Sequence, residues 1–216
     1  MGHKFHIVLT TINIPSVIED LLENIKQHNH IDETKIWVIG DIQTPEETRD
    51  LCQIVSEQGL ETIYLDIAEQ NNIGKNFIEF YERLPLANES RRNVGFIAAY
   101  QDGAEILISI DDDNFPLQND FIGGHSIVGS YCKQNALSDP KGYYNICEHI
   151  EMKPSRHVYP RGFPFELRDS RNGPKELSIN EGIKIGVNAG LWLKDPDIDA
   201  TTWLNGTILR NKFQGS

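Results

Sequence analysis

Cysteine is scarce, and the three that occur, Cys52, Cys132 and Cys147, are odd in number and show no C-x-x-C spacing. That fits reduced thiols better than a disulfide framework or a structural zinc site. Apolar runs are short: none approaches the roughly 20 residues of a membrane-spanning helix. The opening "MGHKFHIVLTT" lacks the apolar stretch and small-residue cleavage site of a secretory signal. Positive charge is in short supply too. Lys and Arg number 20 against 32 Asp and Glu, a net charge of −12, so unspecific attraction to nucleic acid or an anionic membrane is not expected. An anionic ligand has to be held locally, by a few arginines, helix N-termini or a metal. No G-x-G-x-x-G follows a predicted strand, which counts against a dinucleotide oxidoreductase. The expectation is a soluble, cytoplasmic protein, and 216 residues suit one sizeable α/β domain with a real core.

What is present is a regular alternation. Residues 5–11, FHIVLTT, suit a buried strand, and residues 15–28 space Val17, Ile18, Leu21, Leu22 and Ile25 along one helical face. Residues 35–41, KIWVIGD, make a second strand, after which Thr44 as N-cap, Pro45 at the first helical position and Glu47 three residues past the cap open a helix to about Gln58. Residues 61–67 are a third strand, and residues 72–84 carry helical periodicity through Ile73, Phe77, Phe80 and Tyr81. Ser90 then caps a helix stopped by Gly103, which feeds a fourth strand, EILISI, over residues 105–110. This order implies a mainly parallel sheet with helices on both faces and a ligand crevice at the carboxyl ends of the strands. Polar residues fall at those ends: Thr10 and Thr11, Asp41, and Asp111, Asp112 and Asp113. Beyond Pro116 the alternation weakens. Residues 142–174, rich in Pro, Gly and Arg, read as loop or irregular strand over the crevice, and a further strand is expected over residues 183–193.

Adjacent carboxylates repel one another unless a cation or hydrogen-bond donors neutralise them, so ILISIDDDN asks for a partner. Three readings compete. The acids ligate a hard dication that holds a diphosphate, or contain a phosphatase-like nucleophile, or form a solvated turn. The phosphatase signature Asp-x-Asp-Gly fails at Asn114. One element upstream, Arg91 and Arg92 open a helix, and the planar fork of arginine suits phosphate oxygens or a carboxylate. A sugar-1-phosphate nucleotidyltransferase ranks low, because TTINIPS stands where its Gly-rich, arginine-containing loop belongs.

With these residues in view the chain resembles the nucleotide-sugar glycosyltransferases of GT-A fold. SIDDDN is similar to their Asp-x-Asp signature, with Asp111 in the first position and Asp113 in the second, and RRNVGFIAAYQDGAEIL resembles the Arg-Asn helix that precedes it in many of them. YPRGFPFELR, residues 159–168, and GLWLKDPDIDATT, residues 190–202, resemble segments of the reversibly glycosylated polypeptides, the family containing the UDP-arabinopyranose mutases. VIGDIQTP resembles a nucleotide-contacting turn of the wider group. The matches span most of the chain from Ile7 to Thr202.

The resemblance implies a single α/β domain of Rossmann-like GT-A fold, with a nucleotide-binding half over about residues 1–116 and a sugar and acceptor half over about residues 117–216. It places Asp111 and Asp113 at a divalent metal, Mn2+ or Mg2+, and at the donor's ribose, with Asp112 beside them. Thr10 and Asp41 approach the nucleoside, and Arg91 or Arg92 the diphosphate. Asp113 and Arg161 are the candidate catalytic residues, Arg161 matching the arginine that the mutases glycosylate on themselves. Asp197 and Asp199 fall at the donor sugar or acceptor. Plant members of the family run considerably longer, so the chain is expected to be a compact version or one incomplete at its C-terminus.

Three functions follow. The first is a metal-dependent transferase moving a sugar from a nucleotide diphosphate donor, UDP by resemblance, to a sugar, small-molecule or polypeptide acceptor. The second is a UDP-sugar mutase that uses Arg161; the third is a non-catalytic nucleotide-sugar binder. No nucleic acid and no membrane span are expected, and homo-oligomerisation is left open.

Overall fold

The computed structural model describes residues 3–133, 135–138, 142–153, 157–168, 175–178, 182–190, 198–204 and 210–213. They form two compact units, residues 1–128 and 129–216.

The first unit runs β1 (Phe5–Thr10), α1 (Val17–Gln27), β2 (Thr34–Ile39), α2 (Glu47–Glu57), β3 (Thr62–Leu65), α3 (Ile67–Gly74), α4 (Ile78–Tyr81), α5 (Arg92–Gln101), β4 (Ile106–Ser109) and α6 (Phe121–His125). Its four strands form one parallel sheet in the order β3-β2-β1-β4. Alternate side chains of a strand point to opposite faces, and both faces are largely apolar here, with His6 and Lys35 as buried polar exceptions. Phe5, Ile7 and Leu9 pack with Ile36, Val38, Ile106 and Ile108 against the apolar stripes of α1 and α2. Val8 packs on the other face with Trp37, Ile39 and Leu65 against Ala98 and Ala99 of α5. Helices therefore cover both faces, the condition under which an all-parallel sheet is stable, and the architecture is Rossmann-like α/β. The strand order changes direction at β1, so the carboxyl ends of β1 and β4 flank the switch point where such sheets open a crevice. α5 lies close to the sheet because residue 95 is glycine: a Cβ there would sit 2.5 Å from Val8 Cγ1 and 2.8 Å from Ile39 Cδ1.

Three helix starts differ from those expected. α2 begins at Glu47 without a side-chain cap. The Thr44 hydroxyl instead accepts the Asp41 N–H at 2.7 Å and donates to the Thr11 carbonyl at 2.7 Å, joining two strand ends. α3 begins at Ile67 rather than at residue 72, because Asp66 and Glu69 form a reciprocal capping box that also ends β3 at Leu65. Before α5, Asn88 rather than Ser90 supplies the cap: its side chain accepts the Ser90 N–H at 2.9 Å and starts a 3-10 turn, Glu89–Arg91, that runs into the helix.

The second unit holds β5 (Tyr131–Cys132), β6 (Asn135–Ser138), β7 (Ile150–Lys153), β8 (Lys175–Ser178), β9 (Ile183–Lys184), α7 (Ala200–Leu204) and β10 (Arg210–Phe213). Its strands pair antiparallel as β5-β9, β6-β8 and β7-β10. Cys147, Ile150, Val158 and Ile198 make a small core. The strand expected over residues 183–193 is confined to β9. Residues 185–190 are irregular, with Val187 83% exposed, and the glycines at 186 and 190 weaken an extended ladder through their entropy and lack of side chain. Residues 191–193 lie outside the described residues. Among the described residues no helix is long and apolar enough to cross a membrane.

Candidate functional site

In the first unit, the carboxyl ends of β1, β2 and β4 and the turn entering α5 surround an open cleft of about 500 Å³. Thr10, Asp41, Arg91, Arg92, Asp111, Asp112 and Asp113 all line it. They come from well-separated stretches of chain, and the parallel sheet brings those stretches to one edge.

The aspartate run is a tight turn. The Asn114 N–H donates to the Asp111 carbonyl at 3.1 Å, which puts Asp112 and Asp113 at the corner. The three side chains then take different partners. Asp111 accepts a charge-assisted bond from Arg92. Asp112 accepts from the Thr11 hydroxyl at 2.5 Å. Asp113, exposed, accepts from the Asn114 side-chain amide at 2.9 Å. A cation, a hydroxyl and an amide thereby relieve the repulsion that the run implies.

The two arginines face different surroundings. Arg92 also donates to the Thr10 and Ser109 hydroxyls, both at 3.3 Å, and so ties β1 to β4. Its buried Nε has no acceptor among the described residues. Arg91 is only 2% exposed. Its Nε donates to Gln70 Oε1 at 2.7 Å, another guanidinium nitrogen donates to the Tyr81 hydroxyl at 2.6 Å, and the guanidinium stands 5.1 Å above the Tyr81 ring. Gln70 is fully buried and donates to the carbonyls of Gly40 and Leu65 at 2.7 and 2.9 Å. Asp41 accepts the N–H groups of Ile42 at 2.7 Å and Asn88 at 3.2 Å, which joins the end of β2 to the loop before α5.

The segment after the acidic turn is anchored from below. Asn24, buried on α1, donates to the carbonyls of Leu117 and Asn119, both at 2.8 Å, and accepts the Phe121 N–H at 3.2 Å. His30 bridges Glu33 and Asp120, the latter at 3.0 Å. Burial works to lower the His30 pKa, but hydrogen bonds to these carboxylates outweigh it and leave it raised. His125, packed edge-on to Phe121 at 5.0 Å, has its pKa lowered by burial.

The remaining candidates belong to the second unit. Asp199 is buried, accepts from Arg168 at 3.0 Å and caps the Thr201 N–H at 3.0 Å. Arg161 is exposed at the second position of a turn closed by the Phe163 N–H on the Pro160 carbonyl at 3.1 Å, with Gly162 at φ +81°. Asp197 lies outside the described residues.

Several cleft residues went unread in the sequence. Asn88, Glu89 and Asn13 line the cleft, and no pattern in the residues around them marks them. Gln70, which is not part of the lining but holds Arg91, left a trace as an amide three residues after Ile67, on the buried side of α3.

The donor chemistry suits a hard dication. Asp111 and Asp113 offer carboxylate oxygens to the cleft, while among the described residues no group of three or more His, Cys, Asp or Glu side chains gathers as a metal-binding set. A cation here would take one or two carboxylates from the protein and complete its shell with water and ligand phosphate, the usual arrangement for magnesium.

Against protein-family models and against curated proteins, the chain finds no match. The cleft therefore has to be read from its own chemistry. Its lining side chains include the acids Asp41, Glu89, Asp111, Asp112 and Asp113 against two arginines, a surplus of negative charge that admits cations and repels a bare anion.

Proposed function

We propose that the chain is a metal-dependent glycosyltransferase of GT-A type that takes a sugar from a nucleoside diphosphate donor, UDP being the nucleotide the resemblance favours, and passes it to an acceptor. The observation that carries this reading is the convergence of the acidic turn after β4, the β1 and β2 ends and the arginine pair at the entry to α5 on one cleft at the sheet's switch point. Asp111 and Asp113 would hold the dication. When bound, it would neutralise charge on the leaving diphosphate. The chain's own residues have three tasks. An arginine at the entry to α5 meets the phosphate oxygens, Thr10 and Asp41 border the nucleoside end of the cleft, and the turn at residues 111–114 leaves Asp113 exposed, where it would hold the cation. The surplus of acids makes metal dependence a requirement, since a diphosphate entering alone would face net repulsion.

The test is calorimetric titration with UDP, GDP and dTDP, each with manganese and with chelator. One nucleotide should bind only with metal, and Asp113→Ala should lose that binding. Binding that survives chelator, or an Asp113→Ala variant with wild-type affinity in the presence of metal, would sink the assignment.

A further inference from the structure

Arg91 is the anomaly among the paired arginines of the first unit. Arg49 meets Asp66 and Glu69, and Arg92 meets Asp111. Arg91 is 2% exposed, yet the Gln70 amide and the Tyr81 phenol and ring are its partners, and it makes no ion pair with a carboxylate among the described residues. Burying an arginine, which stays charged at any physiological pH, without a counter-ion is unfavourable, because neutral acceptors satisfy its hydrogens but not its charge. The residue lines the cleft.

We propose that Arg91 is the anion receptor of the cleft, and that the phosphate oxygens of a nucleoside diphosphate supply the counter-ion that the fold leaves out. The inference rests on the reading of the cleft as a nucleotide site and assigns the phosphate contact to one arginine of the pair.

Gln70 and Tyr81 act as positioning residues. The Gln70 amide nitrogen is committed to the carbonyls of Gly40 and Leu65, so its oxygen has to face Arg91, and the amide cannot flip without losing both bonds. The Tyr81 ring is seated against Gly74, where a Cβ would come within 2.4 Å of it. These contacts fix the guanidinium plane through Nε and Nη2; the other terminal nitrogen, Nη1, enters neither bond. Arg92 is differently placed. Its side chain is the more exposed of the two, but Asp111 already neutralises its charge.

The experiment is titration of the full chain, with magnesium present, with inorganic pyrophosphate and separately with UDP, for wild type, Arg91→Gln, Arg92→Gln and Gln70→Glu, each checked for folding by circular dichroism. Arg91→Gln should lose about tenfold to a hundredfold in affinity for both ligands, the range for a hydrogen bond to a charged group. Gln70→Glu should lose a comparable amount, because it supplies a counter-ion from within the fold and cancels the charge that would draw the ligand's phosphate. Arg92→Gln should lose less than either. A folded Arg91→Gln or Gln70→Glu that binds pyrophosphate within about twofold of wild type would overturn the proposal, as would a larger loss in Arg92→Gln or a wild type that binds no pyrophosphate. A wild type that binds pyrophosphate but no nucleotide would instead overturn the nucleotide-sugar reading and leave Arg91 as the receptor.

Discussion

Gly95→Ala sets two effects of known sign against each other. In an isolated helix the change favours α5 by about 1 kcal/mol, because alanine has less backbone entropy to lose than glycine. Packing opposes it. The added methyl would lie 2.5 Å from Val8 Cγ1 and 2.8 Å from two Ile39 carbons, and both neighbours are fully buried with no room to retreat. Overpacking of this kind costs about 1–3 kcal/mol. At 2.5 Å the upper part of that range applies, so the net change is a loss of about 1–2 kcal/mol. That corresponds to a fall of about 2–8 °C in the melting midpoint, read by calorimetry. Gly124→Ala is the matched control: it too is a helical glycine, but a Cβ there meets nothing within 4 Å, so its midpoint should hold or rise. A Gly95→Ala midpoint at or above wild type would show that α5 does not press on β1 and β2, and would undo the account of how Arg91 and Arg92 are brought to the strand ends.

Two further outcomes test the support beneath the cleft. Asn24→Ala leaves two carbonyls and one N–H of residues 117–121 without their partner; because Leu117 and Asn119 are exposed and water can replace part of the loss, the expected cost is about 1–3 kcal/mol in urea denaturation, and an unchanged midpoint would deny the anchor. For His30, whose folded pKa is raised, the stabilisation is fully present below the unfolded value of about 6.5 and fades as pH rises through the folded one. The stability gap between wild type and His30→Gln should therefore be widest at the acid end of a series from about pH 5 to pH 9, and a gap that widened toward alkaline pH would contradict the pairing with Glu33 and Asp120.

Much of the first unit was legible in the sequence because its signals are local. A run such as FHIVLTT reports burial on both faces of a strand, and the spacing of Val17, Ile18, Leu21, Leu22 and Ile25 reports one buried helical face; each pattern is complete within a few residues. The helix boundaries were harder. Thr44 and Ser90 have the chemistry of caps, but Thr44 found partners on neighbouring strand ends and Asn88 reached the 3-10 turn first. The second unit offered less, because its strands are short and antiparallel and much of their pairing is between distant residues: Ser138 pairs with Lys175, and Phe213 with Ile150.

By itself the sequence determined the alternation of strand and helix, the parallel sheet that follows from it, and the placement of Thr10, Asp41 and the three aspartates at strand ends, since backbone periodicity and burial act over neighbouring residues. Only the tertiary structure decided which partner each of those side chains takes. Asp111 and Asp112 are adjacent and chemically identical, yet one meets Arg92 and the other Thr11. Arg91 and Arg92 are adjacent and chemically identical, yet one has a carboxylate and the other has none among the described residues. Adjacent side chains leave the backbone in different directions, and a charge is neutralised by what lies within a few ångströms in space, wherever along the chain that group is encoded.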